Sequence, residues 1–331
     1  MRGLVREGNV GAAAPEQTEG APGRSLWHWA RRGIGLAFLL LVVALIVRYA
    51  RNVDWDDVWR SVQALPARVI AEAALLTAAS HVLYSCYDLF GRRYTGHAIA
   101  TPSVMRIAAI SYAFNLNMGS IVGGIGMRLR LYSHHGVPPM DVAKIVTLSM
   151  VTNWLGDMAL AGTFFTFAPL ELPPNWKLDN DGLTLLGIAL LAGVLGYLGL
   201  CAWSRRRSWT IRGHEITLLP ARLAFLQLAL SAANWALIAA VLWVLLQGKV
   251  DYGAVLSVLL LAAMAGLIVR VPAGLGVLEA VFLALLSHRV PEGQLLAALL
   301  AYRAIYYIAP LGVAALLYLA TEARWRRLKA A

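Results

Sequence analysis

Charged residues are scarce in this sequence, and cysteine is nearly absent. Asp, Glu, Lys and Arg make up 14% of the 331 residues, whereas they account for about 25% of a typical soluble domain. The two cysteines, Cys86 and Cys201, both lie within apolar stretches, and this placement indicates neither a disulfide framework nor a metal cluster. We therefore predict a chain that is not soluble and that holds no metal and no cofactor.

Catalytic motifs are also missing. The sequence contains no His-Glu-x-x-His, no Gly-x-Ser-x-Gly nucleophile elbow and no P-loop, which are patterns that place catalytic groups for hydrolysis or hold nucleotide phosphates. Asp88 and Asp157 suggest an intramembrane aspartyl dyad, but the glycine motif that such proteases carry around the second aspartate is absent. The sequence thus predicts no catalytic residues.

Most of the chain consists of long apolar stretches. Hydrophobic residues make up 59% of the chain, and the mean hydropathy is +0.64. A bilayer core of about 30 Å needs roughly 20 apolar residues per helix. The stretches are 34–47, 67–90, 142–169, 183–203, 219–246, 254–270, 277–287 and 294–319, with a shorter, glycine-broken one at 103–126. They predict an all-α integral membrane bundle with about six full crossings.

The two ends of the chain differ from this membrane region, which we place at residues 33–320. Residues 1–32 have no apolar period and predict a disordered cytoplasmic tail, and residues 321–331 predict a short basic cytoplasmic tail. A cleaved signal peptide is the alternative for the N-terminus, but no small-residue cleavage site follows the first apolar stretch.

The net charge of +11 comes from short basic runs between the apolar stretches, as the positive-inside rule expects. Nucleic acid is therefore not expected as a partner. Residues 91–106 carry three Arg and no acid, and 204–215 carry four Arg against one Glu, so we place both segments and both termini on the cytoplasmic side. Residues 51–60 and 171–182 are richer in acid and are placed on the opposite side.

Two glycine-rich strings interrupt the apolar pattern at corresponding places in the two halves of the chain. The sequence reads Gly-Gly-Ile-Gly-Met at 123–127 and Ala-Gly-Leu-Gly-Val at 273–277. Such paired interruptions are a pointer to a transport site in inverted-repeat membrane proteins, although glycine is also common in ordinary membrane helices. We predict one re-entrant hairpin per half, entered from opposite sides. The predicted backbone breaks are Gly123, Gly124, Gly126, Pro272, Gly274 and Gly276.

Ionisable and aromatic residues near these breaks are the candidate binding groups, because charge at membrane depth is costly and tends to mark pathways. Guanidinium groups beside freed backbone N–H groups favour a phosphate or carboxylate, although arginines near a cytoplasmic loop also serve as topology signals. The predicted substrate-binding residues are Arg128, Arg130, Tyr132, Arg270, Glu279, Arg303, Tyr306 and Tyr307. Candidates for proton coupling are His81, Asp88 and Asp157, with an interfacial position near a helix end as the alternative for Asp88.

Three strings of this sequence, taken together, resemble the transmembrane family of lysylphosphatidylglycerol synthetase/flippase proteins. They begin at Gly123, Val271 and Tyr302 and read GGIGMRLRLYS, VPAGLGVLE and YRAIYYIAP. Ala273 stands where many members have another glycine. In two-domain members, a membrane half is associated with moving aminoacylated phosphatidylglycerol between leaflets, and a soluble half makes that lipid. The sequence printed here ends without the second half, so the resemblance implies lipid handling rather than synthesis.

The predicted function is therefore that of a bacterial inner-membrane lipid transporter that moves an anionic or aminoacylated phosphatidylglycerol-type lipid. Arg128 and Arg130 would bind the phosphate on the cytoplasmic side, and Arg270 and Arg303 would hold it near mid-membrane. Glu279 would pair with Arg303 or meet a cationic head group. The alternative is a non-transporting scaffold that binds lipid or a lipid-synthesis enzyme.

Overall fold

A computed structural model describes residues 55–168, 170, 180–205, 208–211, 214–269 and 274–330. The predictions for the N-terminal tail and the first apolar stretch lie outside the described residues. The same holds for Arg270 and Pro272.

The described part of the chain is almost entirely helical. Its helices are α1 (Trp55–Gln63), α2 (Ala67–Ser85), α3 (Tyr87–Thr95), α4 (Thr101–Gly119), α5 (Met127–Ser133), α6 (Pro139–Phe167), α7 (Asn180–Trp203), α8 (Ala221–Leu245), α9 (Tyr252–Val269), α10 (Val277–Leu286), α11 (Glu292–Tyr302) and α12 (Ala309–Ala330). Two π-helical segments, π1 (Ser120–Gly126) and π2 (Arg303–Ile308), connect α4 to α5 and α11 to α12. An antiparallel hairpin of β1 (Ser208–Ile211) and β2 (His214–Thr217) lies in the loop between α7 and α8.

Among the described residues, four helical spans are long and apolar enough to cross a membrane. They are Ala67–Thr95 (α2 and α3), Asn180–Trp203 (α7), Ala221–Leu245 (α8) and Glu292–Arg327 (α11, π2 and most of α12). Large apolar side chains such as Leu185, Leu195, Phe225 and Leu316 are more than half exposed, which a water-soluble surface tolerates only in small patches and a lipid-facing surface requires. The predicted all-α membrane bundle is confirmed. The short β-hairpin was not predicted.

Prolines mark where several helices begin. Pro66, Pro138, Pro220 and Pro291 each directly precede a helix, with backbone angles outside the helical region. Proline has no N–H to donate, and the N–H groups at a helix start have no intrahelical acceptor in any case. These positions therefore start the helices without loss of a hydrogen bond.

The first glycine-broken stretch forms a helical hairpin. Helix α4 ends at Gly119, which has a φ of 79°, and the chain then returns along α4 through π1 and α5. A side chain at Gly123 would overlap the backbone of Phe114 and Asn115 in α4. Gly126 has ordinary right-handed helical angles, so the turn requires glycine at Gly119, whereas Gly123 allows the two arms to approach closely.

The second break also forms a hairpin, because α10 folds back along α9. Gly274 and Gly276 both have positive φ, at 58° and 80°, as expected for glycines that make a turn.

The two hairpins open towards opposite ends of the bundle. Arg106, at the start of the first hairpin, and His135, just after it, line one cleft with the C-terminal part of α12. The start of the second hairpin meets α11 at the other end of the long α11–π2–α12 span, because Lys249 Nζ donates to Gln294 Oε1 at 2.5 Å. The predicted entry from opposite sides therefore agrees with the fold.

Candidate functional site

A buried ion pair holds the first break in place. Arg128, at the start of α5, donates from Nε to both carboxylate oxygens of Asp88 at 3.2 and 3.0 Å and from Nη2 to Oδ1 at 2.9 Å. The Tyr132 hydroxyl donates to Asp88 Oδ2 at 3.1 Å. The two charged side chains are 3% and 0% exposed, so Asp88 is a buried pairing partner rather than an interfacial residue.

The remaining donors of Arg128 connect the break to its surroundings. Nη1 donates to the Gly124 carbonyl at 3.3 Å, and Nη2 also donates to Ser149 Oγ at 3.3 Å on α6. From the sequence, Arg128 is predicted to bind lipid phosphate and Asp88 to take part in proton coupling, whereas the structure brings the two side chains together in one closed pair. A lipid phosphate would reach Arg128 only after this pair opens.

A second ion pair holds the second break. Arg303 Nε donates to Glu279 Oε1 at 2.9 Å, and Nη2 donates to Glu279 Oε2 at 3.3 Å and to the Gly274 carbonyl at 3.0 Å. Glu279 Oε2 also accepts from the Gly276 N–H at 2.9 Å. The guanidinium lies 4.6 Å from the centre of the Tyr307 ring. The pair predicted between Arg303 and Glu279 is confirmed.

The two breaks are held in the same way with the charges exchanged. Arg128 follows the first break in the sequence, and its carboxylate partner, Asp88, lies on α3. Glu279 follows the second break, and its arginine partner, Arg303, lies on π2. In each case the arginine also donates to a carbonyl of the break, at Gly124 or Gly274. A polar backbone group at membrane depth needs such a partner, which explains why both breaks have an arginine.

The tips of the two hairpins approach the same short segment, π2. Arg303 lies at the second tip, and one turn later the Tyr307 carbonyl accepts from Asn117 Nδ2 at 3.2 Å, near the first tip. A π-helix widens the backbone hydrogen-bonding pattern and is frequent at functional sites. The six residues of π2 thus lie between the two tips.

A set of polar side chains, all buried except the partly buried His81, includes Tyr306 of π2 and is here named the central polar cluster. It consists of Ser80, His81, Tyr112, Asn234 and Tyr306. Ser80 donates to Asn234 Oδ1 at 2.7 Å, and the Tyr306 hydroxyl lies 2.7 Å from Ser80 Oγ and 2.9 Å from the Tyr112 hydroxyl. Because each hydroxyl has one proton, Tyr112 donates to Tyr306 and Tyr306 donates to Ser80. The His81 ring packs against both tyrosine rings.

The three residues predicted for proton coupling have three different environments. Asp88 is paired with Arg128, and His81 belongs to the central polar cluster, where its Nδ1 donates to the Thr77 carbonyl at 3.0 Å. Asp157, on α6, is 1% exposed, and neither of its carboxylate oxygens has a hydrogen-bond partner among the described residues. The structure therefore does not join them into one chain of proton carriers.

The other predicted binding residues are also spread out. Arg130 is half exposed and pairs with Glu322 of α12 at 2.9 Å, at the end where the first hairpin opens. Tyr132 is buried and supports Asp88. Tyr306 belongs to the central polar cluster, whereas Tyr307 contacts Arg303.

Sequence reasoning missed Ser80, Tyr112, Asn117 and Asn234. All four are uncharged polar residues within apolar helices, whereas most of the predicted site residues are ionisable. Polar residues that hydrogen-bond across membrane helices are enriched at helix interfaces. An uncharged polar residue inside an apolar helix is therefore the sequence signal that identifies them.

Both hairpin tips present apolar side chains to the outside. The side chains at the tips that are half or more exposed are Met118, Ile121, Val122, Leu267, Ile268 and Leu275. In a membrane these side chains contact lipid chains at the depth of the two tips. The partly exposed Arg303–Glu279 pair, at 13% and 21% exposure, thus lies near lipid-facing surface.

This fold defines a class of multi-pass helical membrane protein that has two opposed, glycine-broken hairpins, each held by an arginine–carboxylate pair. Comparison with known families is consistent with that class. The family model described as the lysylphosphatidylglycerol synthase TM region matches residues 33–314, and the chain belongs to this family.

Several relatives extend this result. Inner membrane protein YbhN of Escherichia coli is 43% identical over 305 residues, covering 92% of this chain and 96% of the relative. Uncharacterized protein slr0712 of Synechocystis is 30% identical and covers 86% and 88%. Phosphatidylglycerol lysyltransferase of Staphylococcus aureus is 22% identical, covering 85% of this chain but 33% of that protein. The protein is thus a multi-pass inner-membrane protein with a lipid-related role.

Proposed function

We propose that this protein moves a phospholipid between the two leaflets of the inner membrane. The observation that carries the proposal is the meeting of two hairpins, which open to opposite ends of the bundle, at the single segment π2. In this proposal the two halves act as an inverted repeat. The head group travels past π2 while the acyl chains stay in the bilayer beside the exposed hairpin tips.

The chemistry at π2 suits a phospholipid head group. Arg303 offers a forked guanidinium that matches a phosphate, and Glu279 offers a carboxylate that matches the amine of an aminoacylated lipid. A charge that crosses the membrane core alone would be costly, so a partner at that depth lowers the barrier. Arg303 exchanges Glu279 for lipid phosphate as the head group passes.

The difference in exposure between the two pairs supports different roles for them. The Arg303–Glu279 pair is partly exposed and is the one that meets lipid, whereas the Arg128–Asp88 pair is closed. Arg128 takes part when the first hairpin opens, and Arg130, at the open end of that hairpin, contacts the head group on the cytoplasmic side. In this arrangement both termini are cytoplasmic, and Asp157 and His81 are the candidate groups for proton coupling.

The test is translocation of fluorescent phosphatidylglycerol by purified protein in vesicles, measured as the labelled fraction that an impermeant quencher cannot reach. We expect that fraction to fall as protein is added, and Arg303→Gln to abolish the effect. Arg326→Gln, which removes a surface guanidinium that is 79% exposed, is the matched control and should retain activity. Folded protein that leaves the fraction unchanged would overturn the proposal.

A scaffold that binds lipid or a lipid-synthesis enzyme is the second candidate. It is favoured by the pairing of both arginines with carboxylates, which is the arrangement expected of a rigid bundle. Stable binding of lipid or of such an enzyme without translocation would support it over the transporter.

A further inference from the structure

A cleft lies at the end of the bundle where the first hairpin opens. It is formed by the start of α4, the turn after α5 and the C-terminal part of α12. The side chains that matter here are Arg106, His135, Leu317, Ala320, Arg324 and Trp325. No residue from the central polar cluster or from either break lines it.

The cleft is positively charged. Arg106 and Arg324 supply guanidinium groups, and none of the described residues that line the cleft is acidic. Glu322, close to Arg324 in sequence, is already engaged by Arg130 at 2.9 Å. Burial, together with the charge of Arg106, lowers the pKa of His135, so the two arginines set the charge of the cleft at neutral pH. An anion is the complementary ligand.

One wall of the same cleft is apolar and leads to the lipid-facing surface. Leu317 and Ala320 line it, and the adjacent Leu316 and Leu319 are 70% and 61% exposed. Trp325 closes the end of the wall, a position at which tryptophan is common in membrane proteins because the ring suits the head-group region. A ligand that satisfies both walls has an anionic head and a hydrocarbon chain.

We propose that this cleft binds an anionic phospholipid, with the phosphate between Arg106 and Arg324 and an acyl chain along Leu317 and Ala320. The site is separate from π2. Its role as the place where lipid is loaded rests on the proposed function, whereas binding itself does not.

Binding is tested by native mass spectrometry of the purified protein with added phosphatidylglycerol or phosphatidylcholine of identical chains. We expect phosphatidylglycerol to bind more tightly, and Arg106→Gln with Arg324→Gln together to weaken it about tenfold, which corresponds to about 1.4 kcal/mol. Arg327→Gln is the control for the Arg324→Gln half of the double variant, because it removes one positive charge from the same helix end without lining the cleft.

Three results would overturn the site: equal binding of the two lipids, unchanged binding in the double variant, or an equal loss in Arg327→Gln. Displacement of the lipid by glycerol 3-phosphate at equal concentration would also contradict it, since the apolar wall would then contribute nothing. A protein that binds phosphatidylglycerol here but does not translocate it would overturn the proposed function and leave the site standing. Translocation without binding at the cleft would overturn the site and leave the proposed function standing.

Discussion

Removing the charge of Asp88 should destabilise the protein strongly. Asp88→Asn keeps the side-chain volume but leaves the Arg128 guanidinium, 3% exposed, without a counter-charge. Breaking a buried ion pair from one side costs about 3–5 kcal/mol. The upper part of that range applies, because Asp88 accepts from both Arg128 and Tyr132.

The chain contains a matched control. Arg68 and Glu72 form an ion pair at 2.6 Å in which the side chains are 88% and 42% exposed. Exposed pairs of this spacing contribute little to stability because solvent screens them, so Glu72→Gln should cost far less than Asp88→Asn. Comparing the two variants isolates the effect of burying the ion pair, because each variant removes one carboxylate that contacts an arginine.

The assay is reversible unfolding in mixed micelles. It is applied to a double-mutant cycle, which compares the unchanged protein with Asp88→Asn, Arg128→Met and the double variant. If the two side chains interact as described, the double variant should lose about 2–3 kcal/mol less than the sum of the single variants. Additive losses, or a loss for Asp88→Asn no larger than that for Glu72→Gln, would refute the reasoning.

Three further predictions follow from the hairpins. Gly123→Ala should destabilise the first hairpin by about 1–3 kcal/mol through overpacking, whereas Gly196→Ala, where nothing lies within 4 Å of the added carbon, should be neutral or stabilising in the same unfolding assay. In a background without the native cysteines, Ile125→Cys and Leu275→Cys should react with impermeant reagent from opposite sides, and labelling from a single side would contradict the inverted repeat. Arg303→Lys should fold but translocate lipid more slowly, because an ammonium lacks the fork that reaches carboxylate and carbonyl together; an unchanged rate in the vesicle assay would show that charge alone suffices.

The sequence was sufficient for the features that depend on local composition. Apolar length predicted the helices, and glycine strings predicted both hairpins. Arg303 and Glu279 were predicted to pair because each lies within an apolar segment and needs a counter-charge. Arg128 and Asp88 were both noted, but their partnership was missed because they lie 40 residues apart and only tertiary packing brings them together.

Other features have no local signal. A π-helix uses the same residues as an α-helix, so nothing in the string Arg303–Ile308 distinguishes it. The turn glycine of the first hairpin is Gly119 rather than one of the glycines in the richer string that follows it. The cleft beside α12 is assembled from three segments that are distant in sequence, and no spacing rule relates them.

The π2 segment also sets the rotation of everything that follows it in the chain. A π-helix takes about one residue more per turn than an α-helix, and each residue of an α-helix turns the chain by about 100°. If the six residues of π2 were instead wound as regular α-helix, all of α12 would therefore turn by about that angle. Arg324 would then leave the cleft even though it lies 21 residues from Arg303. The direction in which the C-terminal end of α12 faces at the membrane surface is thus set by π2, which lies at the depth of the hairpin tips.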